Sequence, residues 1–416
     1  MTQENFIAIQ QRHELYKTIK NNISTKKVIR IGILVCSDVS FQYHSLIAEL
    51  QQDSRFQINI FVVPMITKSL EKINEMLTTT LTNLRKKYQN VYSVFNFEKQ
   101  CYMDISPHMD IALFCNIYDA GVHELYRITF LSKFALCAYV PYGYTGLLIY
   151  DIKEIISSVE YDTLWKIYVE NNKTKRITKD NKYMPYDNVV SVGYTKMDLL
   201  PTAKTTGGGG NTKIIIISPH HTITDWEALR LSNFLEFSDF FLELPKLYPQ
   251  IHFIFRPHPL LFDTIKQNPN LWNDNVESYL EKISKIPNIT YDTASDYLET
   301  FMDSSALIHD CGSFLTEYLY TQKPMLFIAK KAMQNDTFTK HGKDLLDRLY
   351  LAYTQDDIIS FIDNVVINNN DYKQKKRINF ANKQIIHNHG CAGKAIADDI
   401  RREIFGEESG CYKEKI

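Results

Sequence analysis

The sequence predicts an α/β protein of two Rossmann-like domains, each a parallel sheet flanked by helices, facing one another across a cleft. Three observations carry this expectation. Short apolar runs alternate with amphipathic stretches along most of the chain, the pattern of successive βαβ units. The alternation breaks once, at a glycine-rich connector, and then starts again. In the second half three apolar runs end in histidine, arginine or aspartate, at the strand ends where open parallel sheets hold ligands.

The elements follow in order. A polar stretch over residues 1–27 reads as a helical arm. The first domain, 28–200, opens with "VIRIGILVCSD", a near-continuous apolar run of the kind that forms a strand buried on both faces. "SFQYHSLIAELQQD" then reads as a helix, "FQINIFVVP" as a strand and "SLEKINEMLTTTLTNLRKKYQ" as a long helix. "DIALFCN" and "FALCAYVP" are further strands, and "NVVSVGYTKMDLL" closes the domain. In "PTAKTTGGGGNTK", residues 201–213, four glycines stand in a row without the GK[ST] or GxGxxG spacing of a phosphate loop, so the run reads as a flexible linker.

The second domain, 214–390, repeats the logic. Strands are expected at "KIIIISP", "HFIFRP", "NITYD", "ALIHD" and "PMLFIA". Helices are expected at "DWEALRLSNFLEFSDFFLELPKLYP", "NVESYLEKISKI", "DYLETFMDS" and "SFLTEYLY". Thr224 and Glu227 form a T-x-x-E capping box for the first of these helices. Residues 391–416 read as a terminal helix and tail.

Composition narrows the function classes. The 416 residues are 44% hydrophobic, enough for two sizeable cores. Lys and Arg total 47 against 48 Asp and Glu, a formal net charge of −1, so no global field recruits nucleic acid. The amino terminus has no uninterrupted apolar segment and no stretch reaches the length of a membrane span, which predicts a cytoplasmic protein. Seven cysteines without a CxxC pair read as reduced, packed thiols. "HNHGCAG", with His387, His389 and Cys391, and the adjacent His220 and His221 do not match zinc-ligand spacings, so no metal is expected. The basic runs "LRKKY" and "YKQKKR" read as solvated helix faces.

The chemistry gathers at strand ends. "IISPHHTI" offers Ser218, His220 and His221, "IFRPHP" offers Arg256 and His258, and "LIHDCGSF" offers His309, Asp310, Gly312 and Ser313. Parallel strands bring all three sets to one edge. Imidazoles there accept a proton from an attacking hydroxyl or donate to a phosphate oxygen, and Arg256 neutralises a phosphate. Gly312 and Ser313 lie where a strand hands over to a helix whose first N–H groups attract anions. Glu317, one turn further on, is placed to accept from a ribose. Together these are the parts of a nucleotide-diphosphate site.

From about residue 190 to 330 the order "SVGYTKMD", "IIIISPHHTI", "FIFRPHP", "PNITYD", "LIHDCGSFLTEYLYTQKPMLFI" resembles the CDP-glycerol glycerophosphotransferase family of teichoic acid and capsule synthesis. The last block is the most specific, with Asp310, Gly312, Ser313, Glu317, Lys323 and Pro324 at the family's positions. The resemblance implies a GT-B fold and transfer of glycerol phosphate, or ribitol phosphate, from a CDP-activated donor to a hydroxyl of a glycan or lipid-linked acceptor, with release of CMP. It implies that His258 acts at the phosphate and that Ser313 and Glu317 belong to the nucleotide-binding end. It also implies a donor-binding second domain, an acceptor-side first domain, and peripheral contact with the inner face of the cytoplasmic membrane; the sequence itself shows no carboxylate cluster for a divalent ion, so no cofactor is expected. The sequence departs from the family where an amino-terminal "WHG" supplies the favoured base: the counterpart here is "VPYGYTG", with Tyr142 before Gly143. Either His220 or His221 then serves as base, or this branch uses a different acceptor or chemistry. Two alternatives stand beside this reading, a GT-B glycosyltransferase using a nucleotide sugar and a non-catalytic nucleotide- or glycan-binding subunit.

Overall fold

The structure is a computed structural model describing residues 1–67, 69–117, 119–201, 212–224, 229–330 and 337–407. The linker glycines 207–210 lie outside the described residues. The chain divides into two compact units: Met1–Thr145 with Asp151–Leu199 and Ile386–Ile416, and Gly146–Tyr150 with Leu200–Ile385.

The first unit is built on seven parallel strands: β1 (Ile29–Val35), β2 (Phe56–Val62), β3 (Val91–Ser93), β4 (Ile111–Phe114), β5 (Leu136–Tyr139), β6 (Lys166–Val169) and β7 (Val189–Ser191). Their spatial order is β3-β2-β1-β4-β5-β6-β7, so the direction of winding reverses between β1 and β4. The strands expected in this half form where the apolar runs are continuous: Ile29, Ile31, Ile33 and Val35 are fully buried. The amino-terminal helix Gln3–Ser24 buries Ile9, Tyr16, Ile19 and Ile23. The helix expected over 40–53 is reduced to His44–Leu50.

The carboxyl-terminal helix, Ala392–Phe405, is not a tail. Ala395, Ile396, Ile400 and Ile404 join the core of the first unit, and the helix packs against His44–Leu50.

The second unit has six parallel strands: β8 (Lys213–Ser218), β9 (Ile251–Phe255), β10 (Ile289–Tyr291), β11 (Ala306–His309), β12 (Met325–Ile328) and β13 (Tyr350–Ala352). Their order is β10-β9-β8-β11-β12-β13, and winding reverses between β8 and β11. Ser218 pairs with His309 in register, and Ile217 with Phe255. The three strands expected to carry chemistry are therefore adjacent, with their carboxyl ends level at the switch point, where this sheet class binds ligands. The first helix of this half begins at Phe234, with Asn233 as its cap, so Thr224 does not cap it. Glu227, the other half of the expected capping box, lies outside the described residues.

Candidate active site

Backbone bonds continue past the strand ends and hold the histidines together. Arg256 N–H donates to Ile217 O at 2.8 Å, and His258 N–H donates to Pro219 O at 2.9 Å. His220, His221 and His258 consequently converge. Their ring centroids are 4.4 Å (220–221), 5.0 Å (220–258) and 4.3 Å (221–258) apart. The three offer ring nitrogens within 4.8 Å of one another, close enough for a metal ion to share. The sequence spacing did not suggest this group, because one member comes from a neighbouring strand.

The protonation of these rings is set by their other nitrogens. His220 Nδ1 lies 2.8 Å from Thr222 Oγ1 and accepts the Thr222 N–H at 3.3 Å. Because that nitrogen accepts the Thr222 N–H, the Thr222 hydroxyl, whose oxygen accepts the Leu231 N–H at 2.9 Å, is the donor of the pair with His220. His258 Nδ1 accepts the Leu260 N–H at 3.2 Å. Burial, followed by the neighbouring His258 and His221 and then His309, holds the His220 pKa well below its ordinary value. A ring so reluctant to take a second proton is a poor general base.

Several expected ligand groups are support. Asp310 is buried, and its carboxylate accepts N–H groups from His220 (2.5 Å) and Asn233 (2.6 Å). Burial raises its pKa to about 6. The carboxylate faces inward, clamps two loops and fixes where His220 sits. Ser218 is buried, its hydroxyl against Cys311 Sγ at 3.6 Å. Glu317 is fully buried and takes a hydrogen bond from the Tyr297 hydroxyl, so it presents no oxygen to a ribose. Arg256 reaches the site edge already engaged: its guanidinium donates to Asp292 Oδ2 and to Ala294 O, each at 2.5 Å, and lies 5.1 Å from the centre of the Tyr297 ring.

His309 is buried, with Nδ1 3.1 Å from Cys311 O and its pKa pulled down to about 3 by burial. Gly312 is partly buried and Ser313 is exposed. The helix they introduce is one short turn, Phe314–Glu317, continued by a 3₁₀ turn to Thr321, and Ser313 makes no side-chain cap bond. Thr222, Asn233, Asp292 and Tyr297 are the supporting residues the sequence reading missed. Asp292 alone carried a signal, being another polar residue directly after an expected strand.

Residues 151–402, more than half of the chain, match the model of the family described as CDP-glycerol:poly(glycerophosphate) glycerophosphotransferase. The chain belongs to this family. As a glycerophosphotransferase-family member it is a transferase, and its two parallel-sheet units are those of a GT-B-like protein. A sequence comparison with curated proteins gave no match. Among solved structures, the wall teichoic acid polymerase TagF is similar at a TM-score of 0.60 and 12% identity, covering 97% of this chain and 98% of that one. A histidine variant of TagF was solved after a soak with CDPG. MnaA of S. aureus, solved with UDP, is similar at 0.58 and 13%, covering 93% of this chain and 100% of that one. UDP-GlcNAc 2-epimerase from Neisseria meningitidis, bound to UDP-GlcNAc, is similar at 0.55 and 16%, covering 91% and 100%. At these identities the likeness speaks for the fold. Among the described residues, no helix is long and apolar enough to cross a membrane.

Proposed function

We propose that this glycerophosphotransferase-family enzyme moves a glycerol-phosphate or related polyol-phosphate unit from a CDP-activated donor to a hydroxyl of a teichoic acid, another cell-surface polysaccharide or a lipid-linked glycan precursor. The observation that carries the reading is the convergence of His220, His221 and His258 at the switch point of a sheet inside the family-matched segment. In this mechanism the acceptor oxygen attacks the β-phosphorus of the donor in line, the bond from that phosphorus to the bridging oxygen breaks, and CMP leaves with the bond's electron pair. The acceptor proton passes to His221. His258 and His220 hydrogen-bond the phosphate oxygens, and the backbone N–H groups at Gly312 and Ser313 lie at the nucleotide end.

Positioning and electrostatics dominate such a transfer, because little covalent chemistry is left to the protein. Arg256, held by Asp292, contributes its field more than free donors. The reading needs no divalent ion, since imidazole N–H groups meet the developing charge. A lipid-linked acceptor places the protein at the inner face of the cytoplasmic membrane, in peripheral contact.

The test is product release. Purified protein is incubated with CDP-glycerol or with UDP-sugars over a panel of glycan and lipid-linked acceptors. CMP from CDP-glycerol alone is the expected result, and UDP release instead would replace the donor assignment. His258→Ala is expected to lower kcat by about 10²–10³-fold, the usual loss for one preorganised donor, with a smaller change in donor affinity. Unchanged turnover would remove His258 from the mechanism.

A further inference from the structure

Three imidazoles within sharing distance of one ion invite a metal reading, and the outer nitrogens of two of them speak against it. A histidine that ligates a metal through Nε2 carries its proton on Nδ1 and donates it to a carboxylate or carbonyl oxygen. Here His258 Nδ1 meets an N–H group, that of Leu260. His220 Nδ1 meets two donors, the Thr222 N–H and the Thr222 hydroxyl, whose oxygen is already accepting from Leu231. A nitrogen facing donors keeps its lone pair, so the proton of each neutral ring sits on Nε2.

We propose that His220 and His258 are locked as Nε2–H tautomers by Thr222 and by the Leu260 N–H, and that together they form a clamp for a phosphoanhydride oxygen that works with both rings uncharged. This rests on the transferase reading for the identity of the ligand but not for the tautomers. It assigns His220 the role of donor rather than base, and it makes Thr222, which acts through His220, a positioning residue.

The arrangement has a physical rationale. His220 faces His221, His258 and His309 on the strand ends around it, and its own backbone N–H binds the Asp310 carboxylate. Two imidazolium rings this close would repel, and burial disfavours charge on His220. Neutral N–H donors avoid both costs, and a low-dielectric setting strengthens the bonds they make. The pair therefore retains its donors above the pH at which an ordinary histidine loses its charge.

The decisive measurement is long-range ¹H–¹⁵N correlation on the full chain labelled with ¹⁵N-histidine, at pH 8 and without ligand, with His220→Gln and His258→Gln used to assign the signals. Nε2–H patterns for both residues are expected, and an Nδ1–H pattern for either overturns the proposal. Thr222→Val should move the His220 signal toward a mixture of tautomers and leave His258 unaltered; an unmoved His220 signal removes Thr222 from the device.

Zinc titration of the full chain provides an independent check. Tight one-to-one binding that His258→Ala abolishes would show the rings to be lone-pair ligands and overturn the clamp, whereas no such binding agrees with it.

The last arm uses CDP-glycerol, whose diphosphate keeps a constant charge between pH 7 and 8.5. Neutral donors predict a Kd constant within about threefold across that range, whereas a required imidazolium predicts a loss of about 30-fold. If CDP-glycerol fails to bind at either pH, the transferase reading falls, and the ligand-free spectra still decide the tautomers.

Discussion

His309 shows how a residue can mark a site without acting in it. It follows the same strand-end logic as His220 and His258, yet its ring is buried, bonded to Cys311 O through Nδ1, and its pKa lies at about 3. For a base, a folded-state pKa below the unfolded one means that the unfolded chain binds more protons. Stability is therefore intact above the unfolded value near 6.5 and is lost as pH falls below it. At pH 5, still above the folded pKa, His309 costs about 2 kcal/mol relative to pH 7. Asp310 runs the other way, since its pKa raised to about 6 gives stability on acidification through that value. The clean readout is thus a difference between variants. Between pH 7 and pH 5 the stability of His309→Phe, measured by urea unfolding, should drop by about 2 kcal/mol less than that of the parent chain; equal drops would show that His309 is not buried neutral.

The same scale explains what the sequence left illegible. That Ser218, Asp310 and Glu317 lie at strand or helix ends was readable from the apolar runs. Whether a given carboxylate turns outward to a ligand or inward to two backbone N–H groups depends on neighbours from other strands, and no local pattern records it.

At the scale of elements, most apolar runs were readable, down to the three residues of β10, but β3, β6 and β13 were not. "KIIIISP" and "HFIFRP" became β8 and β9 as expected, because Ile214–Ile217 and Phe253–Phe255 are unbroken runs of strand-forming apolar residues. β3, β6 and β13 are three or four residues long, and they become strands through their neighbours. The basic run at 372–377 gives the sharpest correction. It reads as a solvated face, yet Arg377 on the helix Gln374–Phe380 is one of the largest fully buried side chains described. Its guanidinium donates to both carboxylate oxygens of Asp371, at 3.1 and 2.5 Å, and Asp371 also accepts from the Tyr350 hydroxyl on β13 at 2.9 Å. Removing one partner strands a buried charge, so Asp371→Ala should cost about 3–5 kcal/mol in urea unfolding. Replacing both, as Arg377→Met with Asp371→Leu, should recover much of that loss. A double variant no more stable than the single one would show that the pair contributes more than the desolvation of its parts.

At the scale of the whole molecule, the first unit is discontinuous in sequence. Its core is completed by the last helix, Ala392–Phe405, which the chain delivers only after building the second unit. Three buried isoleucines on that helix, Ile396, Ile400 and Ile404, contribute roughly 5–9 kcal/mol at the usual value per side chain, a sum comparable with the net stability of a domain. Polar ties add to this: Lys166 bonds Glu403 at 2.8 Å, the buried Tyr168 hydroxyl donates to Asp399 at 3.0 Å, and Arg401 bonds Asp53 at 3.2 Å. Gly393 also sits so close to Ser45 and Leu46 that a Cβ would strike their backbone. A chain truncated after Ile385 therefore leaves Tyr168 and Lys166 with buried polar groups lacking these partners and opens the flank of the β1–β2 sheet. Because the two apolar cores are separate clusters, the loss should be confined. Hydrogen exchange on the truncated chain is expected to show protection lost in Ile29–Val35 and Phe56–Val62 and retained in Lys213–Ser218 and Ile251–Phe255. Uniform loss across both sheets would mean that the two cores unfold as one, and undiminished protection in the first would mean that the terminal helix is dispensable to it.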